Sequence, residues 1–216
     1  MTSPSHSAQI PAAGVVLEAD IAIPKLARGM VLFAHGSGSS RFSPRNRYVA
    51  QQLQQAGWAT VLADLLTPAE EKADARTGEI RFDISLLTAR LKQLTDWLAD
   101  RAPTAGLSCG YFGASTGAAA ALAAAAQRPG HVRAVVSRGG RPDLAGPFLP
   151  RVHQATLLIV GERDPVVLEL NQQAVPRIPG ETHLVIIPGA SHLFEEPGTL
   201  HQVARLARDW FAEHLT

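Results

Sequence analysis

Two serine-centred glycine pentads stand close together in the sequence, GLSCG at Gly106–Gly110 and GASTG at Gly113–Gly117. The pattern Gly-x-Ser-x-Gly is typical of a nucleophile elbow, in which a sharp strand-to-helix turn exposes a serine hydroxyl. A serine placed in this way attacks a carbonyl carbon when a base and an acid activate it. The spacing alone does not distinguish Ser108 from Ser115.

The surrounding sequence separates the two serines. An apolar run of strand length, Leu107–Phe112, precedes Ser115, and an alanine-rich segment, Ser115–Arg128, has the composition of a helix. Ser108 is followed by more strand, so we interpret it as a strand residue. The alternative for Ser115 is a plain turn in which the serine caps the helix. We predict that Ser115 is the nucleophile.

A serine nucleophile needs a base, which in the chain order of this pattern is a histidine that comes last. Among the six histidines after Ser115, only His192 lies on a loop just beyond a predicted strand end. We therefore predict His192 as the base. The other five begin or precede strands, or belong to the last helix, and are interpreted as surface residues: His131, His153, His183, His201 and His214.

An acid that orients the histidine is predicted at Asp164, which follows the apolar run Thr156–Val160 and so falls at the carboxyl edge of the sheet. An aspartate directly before Pro165 is also a good helix start, and the two roles are compatible. The alternatives are Glu162, two residues earlier, and Asp143, after the preceding strand.

A glycine-rich loop, HGSGSSR at His35–Arg41, follows the predicted strand Met30–Ala34. A dinucleotide-binding loop would have glycine where Arg41 stands, and a phosphate-binding loop would continue with Gly-Lys-Ser/Thr. A serine hydrolase uses a loop at this place to supply one oxyanion N–H, beside the N–H of the residue after the nucleophile. We predict the backbone N–H groups of Ser37 and Thr116 as these donors, with a plain turn as the alternative.

Short apolar runs alternate with longer segments of helical periodicity along the chain. This alternation predicts an α/β fold, a mostly parallel sheet with helices on both faces. We expect five or six parallel strands, an edge hairpin of Val15–Ile23 with Met30–Ala34, and a surface loop at Glu70–Arg81. The further predicted strands are Ala59–Ala63, Leu107–Phe112, Val132–Val136, Thr156–Val160 and His183–Ile187, and the helices are Arg45–Ala56, Asp83–Ala102, Ser115–Arg128 and Leu200–His214.

The composition excludes several classes of partner. The 216 residues carry 20 Lys+Arg and 19 Asp+Glu, a net charge of +1 with the basic residues scattered, so we expect neither nucleic acid nor a membrane as a partner. Cys109 is the only cysteine, which excludes an internal disulfide and favours a reducing compartment. Residues 1–14 lack the features of a signal peptide and predict a flexible leader before a single domain, 15–216. We expect a soluble, cytoplasmic protein.

Four motifs in this order carry a family resemblance: His35–Gly38, Gly113–Gly117, Gly161–Pro165 and Gly189–His192. From about Val15 to its C-terminus, the chain resembles the α/β-hydrolases. Within that superfamily it is similar to the small dienelactone hydrolase-like proteins.

The resemblance implies a Ser115/Asp164/His192 triad and no cofactor, and we expect no metal. Dienelactone hydrolases proper use a cysteine nucleophile, whereas this chain has Ser115 at that place. The expected function is hydrolysis of small carboxylic esters, with lactones or thioesters as further substrates. Two alternatives use the same fold: a non-catalytic ligand-binding protein, and an acyltransferase or cofactor-free peroxidase with the same triad.

A cap domain of this superfamily usually enters after the strand that ends near Val136, and only Ser137–Ala155 separates that strand from the next. We therefore expect a minimal cap or none, and an open site for a small-molecule ester. Arg41, Arg138 and Arg141 fall on loops at the same edge and are candidates for binding a carboxylate or phosphate of the substrate. The alternative is that they are solvated loop residues.

Overall fold

One sheet organises the chain, of which this computed structural model describes residues 5–215. The strands are β1 (Ser5–Ala12), β2 (Val15–Ala22), β3 (Met30–Ala34), β4 (Ala59–Ala63), β5 (Cys109–Ala114), β6 (Val132–Arg138), β7 (Ala155–Gly161) and β8 (Thr182–Ile187). The helices are α1 (Pro44–Gln55), α2 (Pro68–Thr77), α3 (Ile84–Ala99), α4 (Thr116–Gln127), α5 (Pro165–Ala174) and α6 (Thr199–His214).

The strands lie side by side in the order β1-β2-β4-β3-β5-β6-β7-β8. The six strands β3, β4, β5, β6, β7 and β8 are parallel to one another. Helices α1 and α6 pack on one face of the sheet, while α3 and α4 pack on the other. Strands covered on both faces need apolar residues throughout, as in β3, β4 and β5, where every residue is buried. The predicted α/β fold with a mostly parallel sheet is confirmed.

Helix α4 lies close against the sheet. All of its residues from Thr116 to Ala126 are buried, and most of them are alanines, whose small side chains permit this approach. A side chain on Gly117 would collide with the carbonyl oxygens of Ala34 and His35, just where β3 ends. The last glycine of the second pentad therefore lets the N-terminus of α4 meet the glycine-rich loop.

The predicted edge hairpin of β2 with β3 is wrong. Strand β2 is antiparallel to β1 and to β4, and β3 lies between β4 and β5. Strand β4 is buried along its whole length and needs a neighbour on each side, whereas β2 alternates between buried and partly exposed residues, as a strand near the sheet edge does.

The predicted flexible leader is also wrong over its described part. Residues 5–12 form β1, which buries Ile10 and Ala12 and turns its polar residues to solvent. Across the pair, the Ser7 hydroxyl donates to Asp20 at 3.0 Å. The polar sequence SHSAQIPA is the solvent face of an edge strand, and its ladder with β2 holds it in the sheet. Residues 1–4 of that leader, and residue 216, lie outside the described residues.

The segment Glu70–Arg81, predicted as a surface loop, is mostly helical. Thr67 and Glu70 form a reciprocal capping box at the start of α2, and Gly78 ends the helix in the left-handed conformation. A 3₁₀ helix, Ile80–Phe82, follows, and its Arg81 side chain pairs with Asp74. The polar composition concealed the helix, because capping and ion pairs stabilise it rather than a broad apolar face.

The connection from β6 to β7 contains a short 3₁₀ helix, Pro142–Arg151, packed against α4. This is the place where a cap was expected to be minimal. Within residues 5–215, no helix is long and apolar enough to cross a membrane.

Candidate active site

Ser115 stands at the sharp turn between β5 and α4. Its backbone has φ 51° and ψ −121°, a left-handed conformation that L-residues with side chains rarely adopt. Such a conformation costs about 1–3 kcal/mol and is concentrated at functional sites. The Ser115 N–H donates to the Arg138 carbonyl at 3.2 Å, and the Ser115 carbonyl accepts the backbone N–H of Arg141 at 3.1 Å. The end of β6 and the loop after it thus hold the strained turn in place.

Ser108 occupies a different environment. It lies one residue before β5, at the end of the strand opposite to Ser115. No helix follows it, and β5 continues for six residues. The first pentad therefore has the spacing of an elbow without its strand-to-helix turn.

His192 and Asp164 form a hydrogen-bonded pair. Asp164 lies between β7 and α5, and His192 follows β8. The His192 Nδ1 is 2.6 Å from the Asp164 Oδ2. An ionised carboxylate only accepts hydrogen bonds, so we assign the proton to Nδ1, which leaves Nε2 as an acceptor. The Asp164 side chain makes no capping hydrogen bond to α5, so it holds the N-cap position without performing that role.

Ser115 and His192 converge on the same short segment. The Ser115 N–H is bonded to the Arg138 carbonyl, while a methyl group on the next residue, Gly139, would lie 3.4 Å from the His192 Nδ1 and Cε1. From the other side, a methyl group on Gly36 would lie 3.0 Å from the Ser115 Cβ. Among the described residues no hydrogen bond joins the Ser115 hydroxyl to His192. Such bonds are often long in a site without substrate.

The two rival acids contact other groups. The Glu162 carboxylate accepts the Gly189 N–H at 2.7 Å, and the Asp143 carboxylate binds the Arg141 guanidinium through two bonds of 2.9 and 2.8 Å. Neither contacts His192. Within residues 5–215, no three His, Cys, Asp or Glu side chains cluster as metal ligands would.

Glu196 contributes to the position of His192, and sequence reasoning missed it. Its carboxylate accepts the Ser191 N–H at 3.0 Å and pairs with the Arg163 guanidinium. Hydrogen bonds from Ser191, first of all its backbone N–H, lower the pKa of Glu196 to about 2. The carboxylate therefore holds the loop on the N-terminal side of His192. The acidic pair Glu195-Glu196 just after the motif was the available signal.

The two residues predicted as oxyanion donors lie together. The Ser37 N–H donates to the Thr116 Oγ1 at 2.9 Å, so the Thr116 hydroxyl occupies this donor. Thr116 is the first residue of α4, where a backbone N–H has no acceptor within the helix. The Ser37 N–H can bind another acceptor only if the Thr116 hydroxyl releases it.

His35, which opens the same loop, joins it to the end of β4. Its Nε2 accepts the Leu65 N–H at 2.8 Å, and its Nδ1 lies 3.0 Å from the Gly36 carbonyl, to which it donates. Burial lowers the pKa of His35, so the imidazole is neutral in this tautomer. The histidine therefore fixes the conformation of the loop that lies against Ser115.

The three arginines predicted as substrate contacts differ in their surroundings. The Arg41 guanidinium pairs with Asp64, whose carboxylate also accepts the Arg41 N–H at 2.6 Å. Arg141 pairs with Asp143. Arg138 has no carboxylate partner among the described residues, and its side chain is buried. Two of the three charges are thus balanced within the protein.

The mostly parallel sheet with helices on both faces, and with an elbow at the end of β5, is the α/β-hydrolase fold. Dienelactone hydrolase from Anabaena variabilis, known from a crystal structure, is 56% identical, with a TM-score of 0.97 and complete coverage of both chains. With this identity over its full length, the chain belongs to the dienelactone hydrolase family. Est1E from Butyrivibrio proteoclasticus shares the fold, with a TM-score of 0.80 at 16% identity over 96% of this chain and 98% of its own.

Two proteins of Mycobacterium tuberculosis, from strains CDC 1551 and H37Rv, bear the name "Putative phosphoribosyl transferase". They are 60% identical over 207 residues, which is 96% of this chain and 46% of theirs. The chain thus spans about half the length of these curated relatives. No protein-family model matches it.

Proposed function

We propose that the chain is a serine hydrolase that cleaves small carboxylic esters through an acyl-enzyme on Ser115. The observation that carries this proposal is the strained turn of Ser115, which packs against the same segment as His192 while His192 is hydrogen-bonded to Asp164. Three separate loops at one edge of the sheet carry the proposed nucleophile, base and orienting acid. The family supports the same chemistry, since its Anabaena member is named dienelactone hydrolase.

In the proposed reaction, the His192 Nε2 takes the proton of the Ser115 hydroxyl as the oxygen attacks the ester carbonyl carbon. Asp164 holds the imidazole in the required tautomer and stabilises its protonated form. His192 then returns the proton to the leaving alcohol, and the Ser115 acyl-enzyme forms. A water molecule, deprotonated by His192, releases the acid and restores the serine.

The negative charge of the tetrahedral intermediate is assigned to the backbone N–H groups of Thr116 and Ser37. Thr116 is the residue after the proposed nucleophile, and its N–H lies at the N-terminus of α4, where the helix dipole favours negative charge. The Ser37 N–H reaches the oxyanion when the Thr116 hydroxyl rotates away from it. Because the oxyanion is charged, it accepts a hydrogen bond more strongly than a hydroxyl does.

We do not extend phosphoribosyl transfer to this chain. The proteins with that name are longer, and the chain matches only 46% of their length. The loop His35–Arg41 has the spacing of neither a dinucleotide-binding nor a phosphate-binding loop, and it lies against the proposed nucleophile.

Turnover of a panel of short-chain esters, lactones and thioesters tests the proposal. We expect hydrolysis of small esters, and the rates with lactones and thioesters then show whether the site also accepts a cyclic ester or a thiolate leaving group. Competition between water, alcohols and peroxide as acceptors separates hydrolysis from acyl transfer and peroxidase activity. Binding of these compounds without any turnover would favour a non-catalytic protein.

A histidine base predicts that kcat/KM falls in acid, because an imidazolium cannot accept the proton of the Ser115 hydroxyl. Histidine is the side chain that usually changes charge between about pH 5 and 8. The measurement is a pH profile of kcat/KM, which reports on the free enzyme. A flat profile over that range would contradict a histidine base.

A further inference from the structure

The loop that carries the Ser37 N–H is bound at both of its ends to the residues directly after β4. At its start, the His35 Nε2 accepts the Leu65 N–H at 2.8 Å. At its far end, the Asp64 Oδ1 accepts the Arg41 N–H at 2.6 Å, and the Asp64 Oδ2 pairs with the Arg41 guanidinium. Two adjacent residues therefore anchor the first and the last residue of the loop.

The sequence between these anchors does not hold the loop by itself. It is Gly-Ser-Gly-Ser-Ser over residues 36–40, and Gly38 has φ 68°. Within this stretch the Ser39 N–H donates to the Gly36 carbonyl at 3.2 Å. Glycine loses more conformational freedom on folding than any other residue, and it offers no side chain to pack. The position of the Ser37 N–H therefore depends on contacts with other elements.

The chain directly after β4 is itself fixed on two sides. The Asp64 N–H donates to the Glu18 carbonyl of β2 at 2.9 Å, and the Leu65 carbonyl accepts from the Arg90 guanidinium at 2.6 Å. Asp64 and Arg90 are both buried. Hydrogen bonds with a charged partner are stronger than neutral ones, and shielding from water strengthens them further. Asp64 thus joins the loop to a rigid part of the sheet.

We propose that Asp64 is a positioning residue for ester hydrolysis: by binding both the N–H and the guanidinium of Arg41, it fixes the loop from which the Ser37 N–H reaches the oxyanion. Asp64 acts through the loop and does not touch the substrate. An oxyanion donor is effective when it is already in place, because no reorganisation is then needed during the reaction. This role rests on the proposed function, since it needs an oxyanion on Ser115, whereas the anchoring of the loop can be measured by itself.

Asp20 provides a matched control for Asp64. Its Oδ1 lies 3.8 Å from the Arg41 Nε, and its Oδ2 binds the Arg47 guanidinium at 3.0 Å. The side chains of Asp20 and Asp64 are similarly buried, at 17% and 11% exposed. Within residues 5–215, the Asp20 side chain accepts no backbone N–H of the loop. Loss of negative charge beside Arg41 is therefore common to both substitutions, whereas loss of the loop anchor is specific to Asp64.

Hydrogen exchange tests the anchoring without any turnover. NMR of the full chain measures exchange of the Ser37 and Ser39 N–H groups, neither of which binds Asp64, and local opening sets their rates. We expect Asp64→Ala to speed this exchange by about tenfold or more, as the loss of a hydrogen bond to a charged group predicts. Asp20→Ala should leave it as in the wild type. Equal exchange in Asp64→Ala and the wild type, or equal acceleration by both substitutions, overturns the anchoring.

Kinetics then test the positioning role, with the best ester of the panel and a trifluoromethyl ketone as inhibitor. The Ser115 oxygen adds to the ketone carbon, the carbonyl oxygen becomes an oxyanion, and the hydroxyl proton passes to His192. We expect Asp64→Ala to lower kcat by about 10²-fold with little change in KM, as a misplacement of about 1 Å does. The inhibition constant of the ketone should rise by a similar factor, because its adduct resembles the transition state. Asp64→Asn keeps an acceptor for the Arg41 N–H and should recover most of the loss.

An unchanged kcat in Asp64→Ala, or an equal loss of kcat in Asp20→Ala, overturns the positioning role. If Asp64→Ala does not fold because the Arg41 charge is left without its partner, the double variant Arg41→Met/Asp64→Ala removes that charge and is compared with Arg41→Met. A wild type that hydrolyses no ester and forms no adduct with the ketone contradicts the proposed function, and the positioning role fails with it. Hydrogen exchange still decides in that case whether Asp64 anchors the loop.

Discussion

Ser115→Ala is expected to abolish covalent labelling by a fluorophosphonate and to lower turnover by about 10⁴–10⁶-fold. The hydroxyl forms the covalent bond to the acyl group, and an alanine leaves only binding and the oxyanion donors. Labelling followed by mass spectrometry of the intact protein, together with kcat on the best ester of the panel, measures both effects. The fold should persist, because alanine replaces only the hydroxyl at this turn.

Ser108→Ala is the matched control, because Ser108 is the centre of the other pentad and lies at the opposite end of β5. It should keep labelling and turnover close to those of the wild type. If labelling survives Ser115→Ala and disappears in Ser108→Ala, the nucleophile is in the first pentad and the proposed site is wrong.

Asp164→Asn is the second substitution with a large expected effect, a loss of about 10⁴-fold in kcat. An asparagine that offers its NH₂ to His192 Nδ1 leaves the proton on Nε2, the tautomer that cannot accept a proton from Ser115. The asparagine, which is neutral, also cannot stabilise the imidazolium. The side chains are nearly equal in shape, so circular dichroism and Tm should stay near those of the wild type.

Glu162→Gln and Asp143→Asn are the controls for this acid, since Glu162 lies on the same loop as Asp164, Asp143 lies after β6, and both carboxylates contact other groups. We expect each to retain most of the activity. A comparable loss in Asp143→Asn, with Asp164→Asn active, would move the acid to the loop after β6.

Much of the architecture follows from local patterns. Strands buried on both faces are short, continuous apolar runs, which is why Ala59–Ala63 is predicted with its true bounds. The helix C-terminal to Ser115 follows from its alanine content. Because the carboxyl ends of parallel strands meet at one edge, Ser115, Asp164 and His192 are expected there together.

Strand neighbours are decided by long-range contacts. The short connection between β2 and β3 favours a hairpin, yet β4 is inserted between them because its two faces are both apolar. In the same way β1 has little apolar character by itself and becomes a strand through its ladder with β2. Helix α2 depends on caps and on the pairing of Asp74 with Arg81, and both need side-chain geometry.

The sequence by itself determined the fold class, the order of the motifs and a short set of residues for each proposed role. Only the tertiary structure decided which acid contacts His192: Asp164 rather than Glu162 or Asp143. It also decided which of the three arginines has no carboxylate partner within residues 5–215: Arg138 rather than Arg41 or Arg141. The reason is physical. Periodicity and turn residues act over a few positions and locate each loop at the sheet edge, whereas charge pairing acts over a few ångströms between loops that are remote in the chain.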